Sequence, residues 1–224
     1  LYLETIRDPD RLLRHAASLI RKGCRIAAIK AGTTGAGSRA ASSHTGAMAS
    51  SDLAVDALFK KAGIVRCDGR EELTTVASVM LYPPLKGKNV AIITHAGGPA
   101  VMLTDVLVNG HMDVPRLEGE AVDALLSRLY PGSSAANPID ILATGNAEQL
   151  GTAIDYCEQS FREIDSMVVI YGTPGLTPVF DAYEVIHRKM DTCSKPIFPV
   201  LPSVTTASEE VKQFLSRGHV NFPD

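Results

Sequence analysis

The segment around His44 has the residue types best suited to group-transfer chemistry. It reads Ser42-Ser43-His44-Thr45-Gly46-Ala47 and follows a predicted loop, residues 31–43, that is rich in glycine, serine and threonine. A neutral imidazole can attack a phosphoryl group through one nitrogen while the other nitrogen donates a hydrogen bond. Small neighbours leave the ring accessible. His44 is therefore the candidate nucleophile; the alternative is a histidine that caps the next helix or fills a gap.

Glu4 follows Tyr2 and Leu3, ahead of the first predicted helix. A carboxylate at a strand end can accept an imidazole N–H and so orient the ring. Sequence spacing alone leaves open whether Glu4 lies near His44.

A second candidate is the turn His95-Ala96-Gly97-Gly98-Pro99, which directly follows a predicted strand and opens a helix. Glycines permit close approach of the backbone, and the free N–H groups of a helix start attract anions. The turn has neither a Walker lysine nor a GxGxxG pattern, and tight turns use glycine in any case. His95 either faces this loop or is incidental to it.

Two further loops could form the rim of a site. Asp140, in Asn137-Pro138-Ile139-Asp140, either binds a ligand or accepts a local backbone hydrogen bond. The loop Gly172-Thr173-Pro174-Gly175 is either part of the site or a plain turn. No metal site is predicted, and the remaining histidines are expected to face solvent: His15, His111, His187 and His219.

Alternating helix and strand patterns must position these segments. The first part contains a helix from Pro9, a strand over 25–30, a helix over 51–62, a strand over 64–67 and a helix over 70–81. After a break at 82–88, strands are predicted near 89–94, 112–115, 139–142, 166–172 and 196–201. Helices alternate with them over 99–109, 119–129, 146–160, 178–190 and 206–217.

This alternation predicts an α/β fold with doubly wound parallel sheets. Continuous apolar runs such as residues 167–171 are typical of strands covered on both faces. We place a domain boundary in the proline-rich break, giving domains 1–84 and 85–224. The first domain has too few strands to be complete and is expected to be the back half of a similar unit.

Composition excludes several classes of function. A net charge of −3 gives no basic surface for nucleic acid, and there is no apolar stretch of membrane-spanning length. The four cysteines form no CxxC pair, so neither a zinc site nor a disulfide framework is indicated, and a reducing cytoplasm fits best. Because the chain opens at Leu1, we expect it to be a piece of a longer polypeptide.

Several motifs in order resemble those of the NDP-forming acyl-CoA synthetases, the family of ADP-forming acetyl-CoA synthetase and, more distantly, succinyl-CoA synthetase. They are Tyr-x-Glu at Tyr2, Lys-Ala-Gly at Lys30, Arg-Ala-Ala-Ser-Ser-His-Thr-Gly-Ala at Arg39, Asp52, His95-Ala-Gly-Gly-Pro, Asp105 and Asn-Pro-Ile-Asp at Asn137. The resemblance covers nearly the whole chain and implies flavodoxin-like domains, the first one partial.

The resemblance also implies a reaction. An acyl-CoA and phosphate give an acyl phosphate, whose phosphoryl group moves to His44 and then to ADP or GDP. Glu4 would hydrogen-bond the imidazole. The phosphoryl group would be bound by residues of both segments: Ser43, Thr45, Gly46, Ala96, Gly97 and Gly98.

The family further implies partners that these residues do not supply. CoA, ADP or ATP and Mg²⁺ are expected on a CoA-binding domain and an ATP-grasp domain outside this chain, with no covalently bound cofactor here. Association into an oligomer is expected, and the piece alone is expected to be inactive.

Two other functions stay open at this stage. Similar domains occur as ligand-sensing modules fused to protein acetyltransferases, although those tend to have lost the histidine. A flavodoxin-like FMN-binding protein is the third reading, but flavin stacking favours aromatic residues, which make up only 5% of this chain.

Overall fold

A computed structural model describes residues 1–46, 50–172, 179–202 and 208–222. The chain divides into two compact units, Leu1–Tyr82 and Pro83–Asp224. The division falls within the break predicted from the sequence, two residues before the predicted boundary. The predicted α/β class with parallel sheets is confirmed.

The described part of the first unit contains a parallel sheet in the order β1-β2-β3. Its strands are β1 (Tyr2–Leu3), β2 (Ala27–Lys30) and β3 (Val65–Cys67). Its helices are α1 (Pro9–Arg21), α2 (Gly35–Thr45), α3 (Asp52–Ala62) and α4 (Arg70–Val79). Phe59 of α3 and Ala28 of β2 are fully buried in the core between the sheet and helices α1 and α3.

Helix α2 corrects the sequence interpretation, which predicted a loop over 31–43. Glycine and serine disfavour a helix interior, but the alanines Ala36, Ala40 and Ala41 and local capping favour this helix. Thr34 is its N-cap and accepts a hydrogen bond from the Gly37 amide at 3.1 Å. Gly46 ends it in the left-handed conformation, with φ of 67°. His44 therefore lies in the last turn of a helix.

The second unit contains, within the described residues, a parallel sheet in the order β5-β4-β6-β7. The strands are β4 (Val90–Thr94), β5 (Ile139–Asp140), β6 (Ser166–Ile170) and β7 (Ile197–Val200). The helices are α5 (Gly97–Asn109), α6 (Glu120–Leu126), α7 (Ala147–Gln159), α8 (Phe180–Thr192) and α9 (Ser208–Ser216). The strand predicted near 112–115 is reduced to one bridge, between Asp113 and Asn89.

Both faces of this second sheet are buried. Ala91 and Ile93 of β4 point into a large core that includes residues of α6, α7, α8 and α9. Val90 and Ile92 point into a second core on the opposite face, against Ala100 of α5. The continuous apolar runs in the sequence follow from this two-sided burial. Among the helices that the structure describes, none is long and apolar enough to cross a membrane.

Candidate active site

The first unit brings Glu4 and His44 into contact, although 40 residues separate them in the sequence. Glu4 directly follows β1, and α2 follows the adjacent strand β2, so both side chains lie near the carboxyl ends of parallel strands. The distance from His44 Nδ1 to Glu4 Oε2 is 3.1 Å. The His44 side chain is 77% exposed and that of Glu4 is 22% exposed. The imidazole is thus anchored on one side and open to a reactant on the other.

The hydrogen bond determines which ring nitrogen is free. An ionised carboxylate can only accept hydrogen bonds, so Nδ1 carries the proton and donates it to Glu4. In the neutral ring this leaves the lone pair on Nε2. The other carboxylate oxygen of Glu4 accepts a hydrogen bond from the Tyr2 hydroxyl at 3.2 Å. Glu4 is therefore held from two directions.

Several interactions keep Glu4 ionised. The hydrogen bond from His44 lowers the pKa of Glu4 most, against the opposing effect of desolvation. The hydrogen bond from Tyr2 and the nearby charges of His44 and Lys30 lower that pKa further. The same contact raises the pKa of the Tyr2 hydroxyl, because this hydroxyl donates to a carboxylate.

Lys30 is a neighbour to which the sequence interpretation assigned no role. It ends β2, pairs in register with Leu3 and is only 3% exposed. Its ammonium group donates a hydrogen bond to the carbonyl of Ala31. A buried cation beside the strand end that carries Glu4 adds positive potential, which favours an anion at this site. The apolar run over 25–30 predicts a buried strand, and the burial of Lys30 agrees with it; the effect of its charge on Glu4 was not predicted.

The residues flanking His44 use their local hydrogen-bonding groups within α2. The Ser43 hydroxyl donates to the carbonyl of Arg39 at 2.9 Å, and the Gly46 amide donates to the carbonyl of Ser42 at 2.8 Å. These two donors are therefore engaged by the helix in this arrangement, and the side chain of Thr45 lies outside the described atoms. The phosphate-binding role expected for the three residues stays a prediction.

The predicted turn at Ala96, Gly97 and Gly98 belongs to the second unit. Ala96 is the N-cap of α5, and the helix begins at Gly97 without a side-chain cap. A Cβ on Gly97 would lie 3.2 Å from Asp140 Oδ2, so a carboxylate occupies the space beside this helix start. The phosphate-binding role of this turn also stays a prediction.

Asp140 and His95 both have structural partners. Asp140 Oδ1 accepts the Leu142 amide at 2.8 Å, which is the local backbone role considered from the sequence. His95 is 9% exposed and stacks on Tyr171, with ring centroids 4.6 Å apart. Burial lowers the pKa of His95, which favours its neutral form. His95 is thus packed against Tyr171 and the end of β6 and is far less exposed than His44.

The structure also bears on the loop at 172–175 and on two histidines of the second unit. Of the loop at 172–175, only Gly172 lies within the described residues. His187 and His219, expected to face solvent, are instead partly buried and in contact with each other.

The chain is similar to known acyl-CoA ligases. A family model described as a succinyl-CoA ligase-like flavodoxin domain matches residues 1–80. The chain is 30% identical, over 98% of its length, to the alpha subunit of ADP-forming acetate–CoA ligase II from Pyrococcus furiosus. The chain is related to the NDP-forming acyl-CoA synthetases.

Further acyl-CoA ligases and synthetases are similar to this chain. An ADP-forming acetate–CoA ligase from Methanocaldococcus jannaschii is 36% identical over 66% of the chain, which corresponds to 21% of that protein. The fold matches dinucleotide forming acetyl-coenzyme A synthetase 1 from Ca. Korarchaeum cryptofilum, solved with phosphate and ADP, with a TM-score of 0.85. That match covers 99% of this chain and 48% of the synthetase, at 24% identity. The chain likewise spans about half, 48%, of the Pyrococcus alpha subunit.

Proposed function

We propose that this chain is the phosphohistidine-bearing part of an acid–thiol ligase that converts an acyl-CoA, phosphate and a nucleoside diphosphate into the free acid, CoA and the nucleoside triphosphate. His44 is the residue phosphorylated in the reaction and Glu4 is its hydrogen-bonding partner. The acyl group belongs to the short-chain class, because the similar ligases from Pyrococcus and Methanocaldococcus are named for acetate. ADP is the proposed acceptor for the same reason.

The contact between Glu4 and His44 supports this proposal most directly. A histidine nucleophile needs one nitrogen free and accessible, and its other nitrogen held by an acceptor. The exposed ring of His44, with Nδ1 bound to Glu4, meets both needs. A carboxylate at Nδ1 also stabilises the positive charge that the ring acquires when Nε2 forms a bond.

The transfer step can be written from these atoms. The Nε2 lone pair of His44 forms a bond to phosphorus as the bond from phosphorus to the acyl oxygen breaks, and the carboxylate leaves with that electron pair. Nδ1 keeps its proton, which Glu4 holds throughout. Attack on phosphorus by a β-phosphate oxygen of ADP then breaks the N–P bond and returns a neutral imidazole.

The remaining parts of the reaction need other domains. We infer that CoA, the nucleotide and Mg²⁺ bind to CoA-binding and ATP-grasp domains, in the same polypeptide or in partner subunits, and that the assembly is oligomeric. The four cysteines are free, which supports function in a reducing cytoplasm.

Phosphate mapping tests the proposal. The full-length polypeptide with its partner domains is incubated with ATP labelled on the γ-phosphate, and acid-labile phosphate is located by peptide mapping. We expect label on His44, its loss in His44→Gln, and its retention in the matched control His15→Gln, at an exposed position of α1. Full turnover in His44→Gln, or label on another residue, would overturn the assignment.

A further inference from the structure

Three side chains of types that can ligate a metal meet in the second unit. None of them takes part in the proposed reaction. His187 and Asp191 lie four residues apart on α8, and His219 follows α9. The distance from His187 Nδ1 to His219 Nε2 is 2.5 Å, and that from His187 Nδ1 to Asp191 Oδ2 is 3.7 Å. The three ligand atoms all lie within 4.8 Å of one another.

The fold holds these groups from two independent elements. Residues four apart on a helix share one face, so His187 and Asp191 project together. Gly218, with φ of 85°, turns the chain after α9, and the ring of His219 packs against Phe214 with centroids 5.0 Å apart. Beyond the turn, the Phe222 amide donates to the carbonyl of Pro199 at 3.0 Å.

Neighbouring cations leave the carboxylate of Asp191 available. Arg217 and Arg188 both pair with Glu184. Lys189 pairs with Asp155. Across the described residues, no lysine or arginine forms an ion pair with Asp191. Its side chain is 59% exposed, so an ion from solvent can reach it.

When both imidazoles are neutral, one of the two contacting nitrogens donates a hydrogen bond and the other accepts it. A divalent cation instead binds the lone pairs of both nitrogens, together with a carboxylate oxygen. Two imidazole nitrogens and one carboxylate oxygen form a donor set that suits Zn²⁺ and other divalent transition metals. We propose that His187, Asp191 and His219 bind one such ion, Zn²⁺ first among them, which links the segment after α9 to α8.

Metal binding requires the ligand atoms, which lie within 4.8 Å of one another, to shift towards one common spacing. Tetrahedral zinc with Zn–N bonds of about 2.0–2.1 Å separates its ligand atoms by roughly 3.3 Å. The two ring nitrogens therefore move apart by roughly 1 Å on binding. Water completes the coordination on the exposed side, at Asp191.

Titration of the metal tests the proposal. The full-length polypeptide, prepared without a histidine tag and freed of metal, is titrated with Zn²⁺ by calorimetry and with Co²⁺ by visible absorption. We expect one ion per chain at this site. His187→Gln, Asp191→Asn and His219→Gln should each weaken binding at least about tenfold. The matched control His15→Gln should leave the affinity unchanged.

The pair of Glu4 and His44 provides a control that distinguishes the proposed metal site from a different one. Glu4 and His44 also bring a carboxylate and an imidazole together, in the first unit. Absence of saturable Zn²⁺ binding, or binding that is lost in Glu4→Gln and kept in His187→Gln, would overturn the proposal.

Because Asp191 is exposed, Asp191→Asn preserves the fold, and Zn²⁺ should raise the thermal unfolding temperature of the wild type more than that of this variant. An equal rise in both would also contradict the site.

Discussion

Glu4 is the residue that makes an ordinary exposed histidine chemically specific. It accepts hydrogen bonds from the His44 ring at 3.1 Å and from the Tyr2 hydroxyl at 3.2 Å. The first bond fixes the tautomer and the plane of the ring, and the second restrains the carboxylate itself. A reactant then meets Nε2 in one orientation, which lowers the entropic cost of reaching the transition state.

Replacement of Glu4 by glutamine should slow phosphoryl transfer. The uncharged amide still accepts a hydrogen bond but does not balance the positive charge of the phosphorylated ring. A hydrogen bond to a charged group is stronger than one to a neutral group, so loss of the Glu4 charge should lower the rate by roughly tenfold or more. We expect kcat of the complete enzyme to fall by that factor in Glu4→Gln, whereas Glu71→Gln, at an exposed position of α4, should retain wild-type kcat. Equal activity in the two variants would exclude a role for the Glu4 charge.

The titration of Glu4 gives an independent test of the same contact. Its folded pKa lies below the ordinary 4.5, chiefly because His44 donates to it. A depressed carboxyl pKa stabilises the folded state above the unfolded pKa, and that contribution is lost as pH falls through the lowered value. Carbon-13 NMR of the Glu4 carboxyl should give a midpoint below 4.5. In His44→Gln the midpoint should rise, and an unchanged midpoint would contradict the contact.

At the scale of the element, α2 decides where His44 points. The helix places His44 in its last turn, where carbonyl groups accumulate negative partial charge. This end of α2 offers no dipole attraction to a phosphoryl group. The buried charge of Lys30 supplies positive potential in the first unit instead.

The end of α2 depends on Gly46. Its φ of 67° strains any residue with a side chain, and none of the described atoms lies within 4 Å of the site of an added Cβ. Gly46→Ala should therefore lower the free energy of unfolding by about 1 kcal/mol, through backbone conformation alone.

Gly35→Ala is the matched control for Gly46→Ala. Gly35 begins the same helix at negative φ, where the nearest atom to an added Cβ is Arg39 Nη1 at 3.9 Å. This variant should be neutral or stabilising by up to about 1 kcal/mol. Urea unfolding measures the free energy of unfolding of both variants. Equal effects of Gly46→Ala and Gly35→Ala would contradict the capping geometry.

At the scale of the whole molecule, the chain consists of two compact units that meet in sequence at Tyr82 and Pro83. The first sheet has three strands among the described residues and the second has four. Each unit has hydrophobic clusters of its own. The segment between them carries Pro83, Pro84 and the exposed Lys86.

Limited proteolysis should cut the chain between the two units. Trypsin needs an exposed backbone outside helices and strands, which the segment around Lys86 provides and the helices do not. We expect the first cleavage after Lys86, giving fragments 1–86 and 87–224 by mass spectrometry. A Lys86→Gln/Lys88→Gln variant should be cut more slowly. Early cleavage within α5 or α7, with this segment intact, would contradict the division into two units.

The sequence by itself determined the fold class, the alternation of strands and helices in the second unit and the break between the units. These features depend on local periodicity, on proline and glycine, and on apolar runs that two-sided burial requires. His44, Glu4 and the order of the family motifs could also be identified from the sequence. The helix over Gly35–Thr45 could not, because its glycines and serines favour a loop, its alanines favour a helix, and capping decides between them.

Only the tertiary structure decided which side chains meet. Parallel pairing of β1 with β2 brings Glu4 and the helix after β2 together, and no sequence spacing encodes that distance. The same holds for the contact of His187 with His219 across 32 residues. Contacts between residues far apart in the chain arise when separate elements pack on one core, so local patterns can name the participants without pairing them.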